Sequence, residues 1–161
     1  MLKIIENDPW LSPYQAAIEG RHKHALWREN ELTGGKISLV DFASGYLYYG
    51  LQRTVDGWVF REWAPNATEI FLIGDFSGWK EEDRFRLQRI NDAGDWELHI
   101  PNGMISHGQH YKMRVKWNGG QGDRIPAWCR RVVQDNSSKI FSAQVWNPDS
   151  EFVFRHKEIG R

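Results

Sequence analysis

The sequence predicts a mainly β protein, an antiparallel β-sandwich preceded by an N-terminal helical segment. From Tyr46 onward, apolar residues recur at every second position in short runs, and turn signals separate the runs. This pattern is typical of antiparallel strands. Before Tyr46 the apolar residues recur at a spacing of three to four, which indicates helix. The 161 residues suffice for one domain of ordinary size with a proper core.

The first third of the chain is expected to be helical. Ser12 and Pro13 form a helix start signal, in which the serine caps the helix and the proline takes its first position. The pair Gly34-Gly35 predicts the end of this helix, because glycine readily adopts the conformation that terminates a helix. Residues 38–43 are expected to form a second, shorter helix.

The remainder of the chain alternates between strand-like runs and turns. The runs are YLYYG, WVFREW, EIFLIGDF, DWELHI, HYKMRVKW and KIFSAQVW. The turns are Asp56-Gly57, Ala64-Pro65-Asn66, Asp92-Ala93-Gly94 and Asn118-Gly119-Gly120. The run HYKMRVKW alternates most clearly, which predicts one buried face and one wet, basic face. The run IFLIG is apolar throughout, which predicts a central strand buried on both sides.

Composition excludes several classes of function. Lys and Arg together number 21, as do Asp and Glu, so no net charge attracts the chain to nucleic acid or to an anionic membrane. The single cysteine, Cys129, rules out an intramolecular disulfide and a thiolate metal cluster, and it favours a reducing, cytoplasmic setting. No stretch is apolar enough for a signal peptide or a membrane span. No cofactor is expected.

Motifs for catalysis are scarce in this sequence. It has neither a glycine-rich phosphate loop nor a Gly-x-Ser-x-Gly nucleophile elbow. The carboxylates between Asp92 and Glu97 could form a glycosidase pair, but turn and surface roles suit their position beside Gly94 better. The histidine pairs at positions 22 and 24 and at 107 and 110 lack a third ligand at matching spacing. We therefore interpret them as solvated or capping residues.

Aromatic residues give the stronger indication of a ligand. The sequence contains nine tryptophans, and Trp79 lies on a loop after a strand, where burial is least expected. A sugar ring has an apolar face that packs on an indole and a rim of hydroxyls that needs polar partners. Lys112 on the wet strand face, and Trp117 beside Asn118, are candidates to complete such a platform with Trp79.

The other tryptophans divide into core candidates and open cases. Trp58, Trp63 and Trp96 lie in strand patterns and are expected in the core. Trp117 shares its strand parity with the apolar face, so burial remains an alternative for it. Trp128 follows a proline-containing turn, and its pattern fits either burial or exposure.

The ordered motifs resemble a known family over nearly the whole chain. FREWAPNATEIFLIGDFSGW, GDWELHIP, ISHGQHYKMRV, DRIPAW and the final VWNP with FVFRH resemble the N-terminal region of α-1,4-glucan branching enzymes of the eukaryotic glycogen and starch type. The segments NDPWLSPYQAAIEGRHKHALW and SLVDFASGYLYYGL resemble the helical lead-in of that family.

This resemblance implies a domain organisation and a function. Residues 1–44 correspond to the helical segment, 45–146 to an immunoglobulin-like carbohydrate-binding module of family 48, and 147–161 to a connector toward a (β/α)8 barrel. The implied parent enzyme transfers α-1,4 glucan segments to form α-1,6 branches by a retaining mechanism. The barrel supplies its catalytic carboxylates, so no catalytic residue is expected here. The implied partners are α-glucan, such as glycogen or a starch-like polysaccharide, and the enzyme's own barrel. The alternative is a purely structural docking module.

The resemblance also assigns roles to individual residues. Trp79 matches a sugar-stacking tryptophan of related glycogen-binding modules, and Lys112 matches a polar partner of the sugar. Those modules have a second stacking tryptophan where this chain reads GGQGDRIP at residues 119–126, without an aromatic. Trp117 or Trp128 is expected to replace it. The predicted carbohydrate-binding residues are therefore Trp79, Lys112, Trp117 and Trp128.

Overall fold

A computed structural model describes residues 2–150, 152, 153 and 155. The chain divides into two compact units, Met1–Gly45 and Tyr46–Arg161. Within the residues described, no helix is both long and apolar enough to cross a bilayer. Residues 151, 154 and 156–161 of the expected connector lie outside the described residues. The connector therefore stays a prediction.

The first unit is helical, as the spacing predicts. Its elements are α1 (Lys3–Asn7), a 3-10 helix (Pro9–Tyr14), α2 (Gln15–Thr33) and α3 (Leu39–Phe42). The predicted start at Ser12 and Pro13 is wrong, because Pro13 lies inside the 3-10 helix that precedes α2. The predicted end at Gly34 is confirmed, since Gly34 adopts the left-handed conformation with φ 60°. The shorter second helix is confirmed as well, and the Ser38 hydroxyl accepts a hydrogen bond from the Asp41 amide at 3.1 Å.

The second unit is a sandwich of two antiparallel sheets, as predicted. The strands are β1 (Gly50–Arg53), β2 (Gly57–Trp63), β3 (Ala67–Gly74), β4 (Gln88–Arg89), β5 (Asp95–Pro101), β6 (His110–Trp117), β7 (Gly120–Arg124), β8 (Val132–Gln134) and β9 (Phe141–Gln144). One sheet has the order β1-β2-β5-β4, and the other has the order β3-β6-β9-β8, with β7 also paired to β6. The core between them is apolar and includes Phe60, Ile70, Leu72, Ile100, Tyr111 and Val145.

Local sequence misleads at the first predicted strand. YLYYG does not form a strand at its start, because residues Gly45–Leu47 form a 3-10 helix and β1 begins only at Gly50. The Gln52 side-chain amide donates to the carbonyls of Tyr46 and Tyr49, at 2.8 and 2.6 Å. These bonds hold the chain in a turn before β1.

Three strands, β4, β7 and β8, are absent from the sequence prediction. β7 has the sequence GQGDR, which lacks the apolar alternation that marks a strand. Its extended conformation depends on pairing with β6, in which Trp117 lies opposite Gly120 and Met113 opposite Arg124. Pairing with a neighbour is information that a single-strand pattern does not contain.

The apolar run of β3 is buried on both sides, as predicted, but β3 is not central in its sheet. It pairs with β6 on one side only, so it occupies the edge of the strand order. The free edge of β3 is covered by the next segment of chain, where Leu87 donates its amide to the Ile70 carbonyl at 2.9 Å. The cationic groups of Arg86 and Lys116 lie 5.9 and 4.9 Å from the centre of the Phe71 ring.

The core prediction holds for Trp58 and Trp96, which are buried, and is wrong for Trp63, which is 58 % exposed. In β2 the inward positions are those of Trp58, Phe60 and the buried Glu62, so Trp63 necessarily faces outward. Its indole nitrogen donates to the Ala93 carbonyl at 2.8 Å. Trp63 is thereby fixed against the turn before β5.

Candidate ligand-binding site

A polar pocket of about 400 Å³ opens beside the β6–β9 ladder. The structure brings Trp79 and Lys112 together in this pocket, although they are far apart in sequence. It does not bring Trp117 or Trp128 there. The pocket is lined by Asp75, Trp79, His110, Lys112, Asp123, Asp135, Ser138, Ile140 and Ser142.

A tight turn after β3 presents Trp79 to the pocket. Residues Asp75–Ser77 form one 3-10 turn, and Gly78 and Trp79 follow with φ of 55° and 62°. A left-handed backbone costs a residue with a side chain roughly 1–2 kcal/mol. The turn sustains this conformation through two hydrogen bonds, from the Trp79 amide to the Gly74 carbonyl at 2.9 Å and from the Gly74 amide to the Ser77 hydroxyl at 3.1 Å.

The Asp75 carboxylate fixes the indole of Trp79. Its Oδ1 accepts a hydrogen bond from Trp79 Nε1 at 3.1 Å, and its Oδ2 accepts one from the His110 amide at 2.7 Å. One side chain thus ties the aromatic ring to the first residue of β6. Trp79 remains 38 % exposed, so a ligand can pack on its indole without first ordering it.

Lys112 supplies a cation to the same pocket. It lies on the outward face of β6, and among the described residues its amine has no hydrogen bond or ion pair. Its neighbours on that face are paired: Arg114 binds Asp123 through two hydrogen bonds of 2.8 and 3.1 Å, and Lys116 contacts Glu81 at 2.6 Å. The Arg114 hydrogen bonds lower the pKa of Asp123 despite partial burial, which keeps that carboxylate ionised.

The opposite wall is a turn that Asp135 organises. Its carboxylate accepts hydrogen bonds from the amides of Ser137 and Ser138 at 3.1 and 2.6 Å, and from the Ser138 hydroxyl at 2.8 Å. The bond from the Ser138 amide is the main cause that lowers the pKa of Asp135. Ile140 adds an exposed apolar surface to this wall. Sequence reasoning missed these residues, although Asp-Asn-Ser-Ser is a turn signal.

The two other predicted tryptophans lie elsewhere on the sandwich. Trp128 is 42 % exposed, and its ring is stacked on Tyr49 with the centres 6.3 Å apart and the planes at 17°. Trp117 ends β6, whereas His110 of the pocket begins it. A second stacking tryptophan beside Trp79 is therefore not among the residues that line this pocket.

Asp95 and Glu97, two of the carboxylates considered for catalysis, have structural partners. Asp95 accepts hydrogen bonds from the Tyr49 hydroxyl and the Asn91 amide, both at 2.7 Å. The bond to Asp95 raises the pKa of Tyr49 to about 12. Glu97 contacts Arg61 at 2.6 Å and His99 at 2.8 Å. Burial acts to raise the pKa of Glu97, but these two partners lower it on balance.

The described residues show neither an activated cysteine nor a metal centre. Burial raises the pKa of the Cys129 thiol, which disfavours the nucleophilic thiolate. Within residues 2–150 no group of three His, Cys, Asp or Glu side chains is arranged to hold a metal ion. The pocket at Trp79 presents a flat apolar ring beside fixed donors and acceptors, an arrangement that suits binding of an amphipathic ligand.

Curated relatives of the chain include 1,4-alpha-glucan-branching enzymes of several organisms. A 1,4-alpha-glucan-branching enzyme of Dictyostelium discoideum is 39 % identical over an alignment 161 positions long, which covers 96 % of this chain and 24 % of that protein. The 1,4-alpha-glucan-branching enzyme 2-2 of Arabidopsis thaliana is 32 % identical over 99 % of this chain and 20 % of its own length. The chain thus spans about a quarter of these relatives, and its resemblance to branching enzymes is confirmed.

A family model and a solved structure agree on the sandwich. The type I pullulanase from Bacillus subtilis, solved with maltose, matches 68 % of this chain and 14 % of its own with a TM-score of 0.51 at 20 % identity, which supports the fold alone. The model of carbohydrate-binding module 48, also described as the isoamylase N-terminal domain, matches residues 48–129. With half of its length matched by that model, the chain belongs to the carbohydrate-binding module 48 family.

Proposed function

We propose that this chain is the α-glucan-binding module of a 1,4-α-glucan branching enzyme, and that the Trp79 pocket is its glucan site. The observation that carries the proposal is the indole of Trp79, held by Asp75 beside the amine of Lys112, which makes no hydrogen bond or ion pair with the described residues. The indole offers an apolar face to the C–H face of a glucose unit. Lys112 and the fixed carboxylates offer partners to the hydroxyl groups at its rim.

In the proposed parent enzyme this module binds the polysaccharide and positions a catalytic barrel that breaks an α-1,4 bond and forms an α-1,6 bond. The relatives that share this name are about four times as long as the chain, which supports further domains in the parent. The residues expected to perform the transfer belong to that barrel. The domain limits 1–44, 45–146 and 147–161 are part of the same proposal.

Titration of the chain with maltoheptaose tests the binding site. Covering the exposed 38 % of a tryptophan of about 250 Å² removes roughly 95 Å² from water, which contributes about 2 kcal/mol. Trp79→Ala is therefore expected to weaken binding by roughly 30-fold. The indole N–H resonance of Trp79 should shift in the unmodified chain, and Lys112→Met should weaken binding while leaving the ring in place. Unchanged spectra at millimolar maltoheptaose would exclude this pocket as the glucan site.

The alternative is a purely structural module in which Trp79 docks against a neighbouring domain. An apolar docking surface that is left exposed promotes self-association. This alternative therefore predicts that the isolated chain self-associates and that Trp79→Ala reduces the association. Light scattering distinguishes the two functions. A monomer whose glucan affinity depends on Trp79 supports binding, and a dimer that dissociates in Trp79→Ala without any glucan response supports docking.

A further inference from the structure

The chain that follows Trp79 is attached to β6 through the carboxylate of Glu81. This carboxylate accepts a hydrogen bond from the Lys116 amine at 2.6 Å, and it lies 3.6 Å from a guanidinium nitrogen of Arg114. Both cations lie on the outward face of β6, which also carries Lys112. Glu81 therefore connects the loop of the indole to the strand that supplies the cation of the pocket.

The loop is attached to β6 at two places. Asp75, near its start, accepts the His110 amide at 2.7 Å, and Glu81, near its end, binds the amine of Lys116. His110 begins β6, whereas Lys116 lies close to the end of this strand. Trp79 thus lies between the two attached residues of the loop.

The backbone of Trp79 requires support on both sides. Its φ of 62° is in the left-handed region, which a residue with a side chain keeps only where the surrounding structure holds it. The hydrogen bonds of the turn end at Lys80, whose amide donates to the Ser77 carbonyl at 3.2 Å. Among the residues that the structure describes, Glu81 is the first after Trp79 whose side chain bonds to another strand. The next anchor is the buried Phe85.

The contact of Glu81 belongs to a larger ion-pair network on this face of the sandwich. Lys116 also contacts Glu69 at 2.8 Å, and Glu69 contacts Arg86 at 2.6 Å. Hydrogen bonds to Glu69 and Glu81 raise the pKa of Lys116, which keeps its amine charged. Ion pairs that form a network hold their geometry better than isolated surface pairs do. The members of the network are Glu69, Glu81, Arg86, Arg114, Lys116 and Asp123.

We propose that Glu81 is a positioning residue of the Trp79 pocket, which orders the indole by pairing the loop with Lys116 and Arg114. Its effect on ligand affinity rests on the proposed function of the pocket, whereas its effect on the ring does not. The proposal has an unusual consequence for salt. A glucan carries no charge, yet its affinity should fall as salt rises, because salt screens the partly exposed ion pairs that order its binding surface.

The order of the indole in the absence of ligand is the first test. Glu81→Gln removes the charge and keeps the size of the side chain. Glu82→Gln is the matched control, since it makes the same change one residue further on, where the carboxylate pairs with Arg84 of its own segment. The ¹⁵N heteronuclear NOE of the Trp79 indole N–H, identified by its absence in Trp79→Phe, should fall in Glu81→Gln and stay unchanged in Glu82→Gln.

The salt dependence of maltoheptaose binding is the second test. At low salt, Glu81→Gln should bind about 2- to 5-fold more weakly than the unmodified chain. Raising sodium chloride from about 0.01 M to about 1 M shortens the screening length from about 30 Å to about 3 Å. This change should weaken binding by a similar factor in the unmodified chain and in Glu82→Gln, and it should leave the affinity of Glu81→Gln unchanged.

The outcomes separate the positioning role from the function of the pocket. An indole NOE that is equal in Glu81→Gln and in the unmodified chain overturns the positioning role. An equal fall in Glu82→Gln overturns it as well, since the whole segment would then have loosened. The same salt dependence with and without the Glu81 charge also contradicts it. If no variant responds to maltoheptaose, the proposed function of the pocket fails, and the indole NOE still decides whether Glu81 orders the ring.

Discussion

Replacement of Asp75 by asparagine tests whether the indole of Trp79 is held in place for its ligand. The carboxylate accepts two hydrogen bonds, from Trp79 Nε1 at 3.1 Å and from the His110 amide at 2.7 Å. An asparagine oxygen can keep only one of them, because its other terminal atom is a donor. We expect it to keep the shorter bond to His110, which leaves the indole N–H facing an NH₂ group.

The expected loss of affinity follows from the freed side chain. Ordering one mobile side chain on binding costs about 0.5–1.5 kcal/mol, so Asp75→Asn should weaken maltoheptaose binding roughly 2- to 12-fold. This loss is smaller than that of Trp79→Ala, because the ring itself remains. Loss of one net hydrogen bond should also lower the free energy of unfolding by about 1 kcal/mol.

Calorimetric titration with maltoheptaose and urea denaturation measure the two effects. Asp83→Asn is a suitable control, since it makes the same change of charge at a side chain with no hydrogen bond among the described residues. It should alter neither quantity by more than a few tenths of a kcal/mol. An Asp75→Asn variant that binds as well as the unmodified chain would show that the indole needs no anchor.

Three further predictions concern the backbone and a buried acid. Trp79→Gly should be about 1 kcal/mol more stable to urea than Trp79→Ala, because only glycine relieves the left-handed strain at φ 62°; equal stability would contradict that strain. Burial raises the pKa of Glu62, so the chain should lose unfolding free energy as pH rises from the usual value of 4.5 toward the raised value. Glu62→Gln should lack that loss when melting is followed across this range, and identical pH profiles would refute it. Gly94→Ala should lower the free energy of unfolding by at least about 2 kcal/mol more than Gly103→Ala does. Both glycines have positive φ, but only a Cβ atom at Gly94 would lie 2.3 Å from Pro65. Equal melting temperatures of the two variants would contradict this prediction.

Local periodicity determined most of the fold. Alternation along HYKMRVKW and DWELHI predicted strands whose apolar faces are buried, as at Tyr111, Met113 and Trp96. The three-to-four spacing, with Gly34 at its end, predicted α2. These features are readable because the pattern of a strand or helix repeats along the chain itself. The position of Trp79 on an exposed loop was predictable as well, because the apolar run of β3 ends before it.

Tertiary structure decided which residues share a site. Asp75 contacts His110 only because β3 pairs with β6, and Asp135 lines the same pocket as Lys112 only because β9 pairs with the other side of β6. The same pairing sends Trp117 to the opposite end of the sandwich. Such contacts depend on the order and register of strands, which are long-range choices that no single run of residues specifies. The sequence by itself therefore determined the sandwich fold and the position of Trp79 on a loop after β3. The strand register decided which residues lie beside the indole of Trp79.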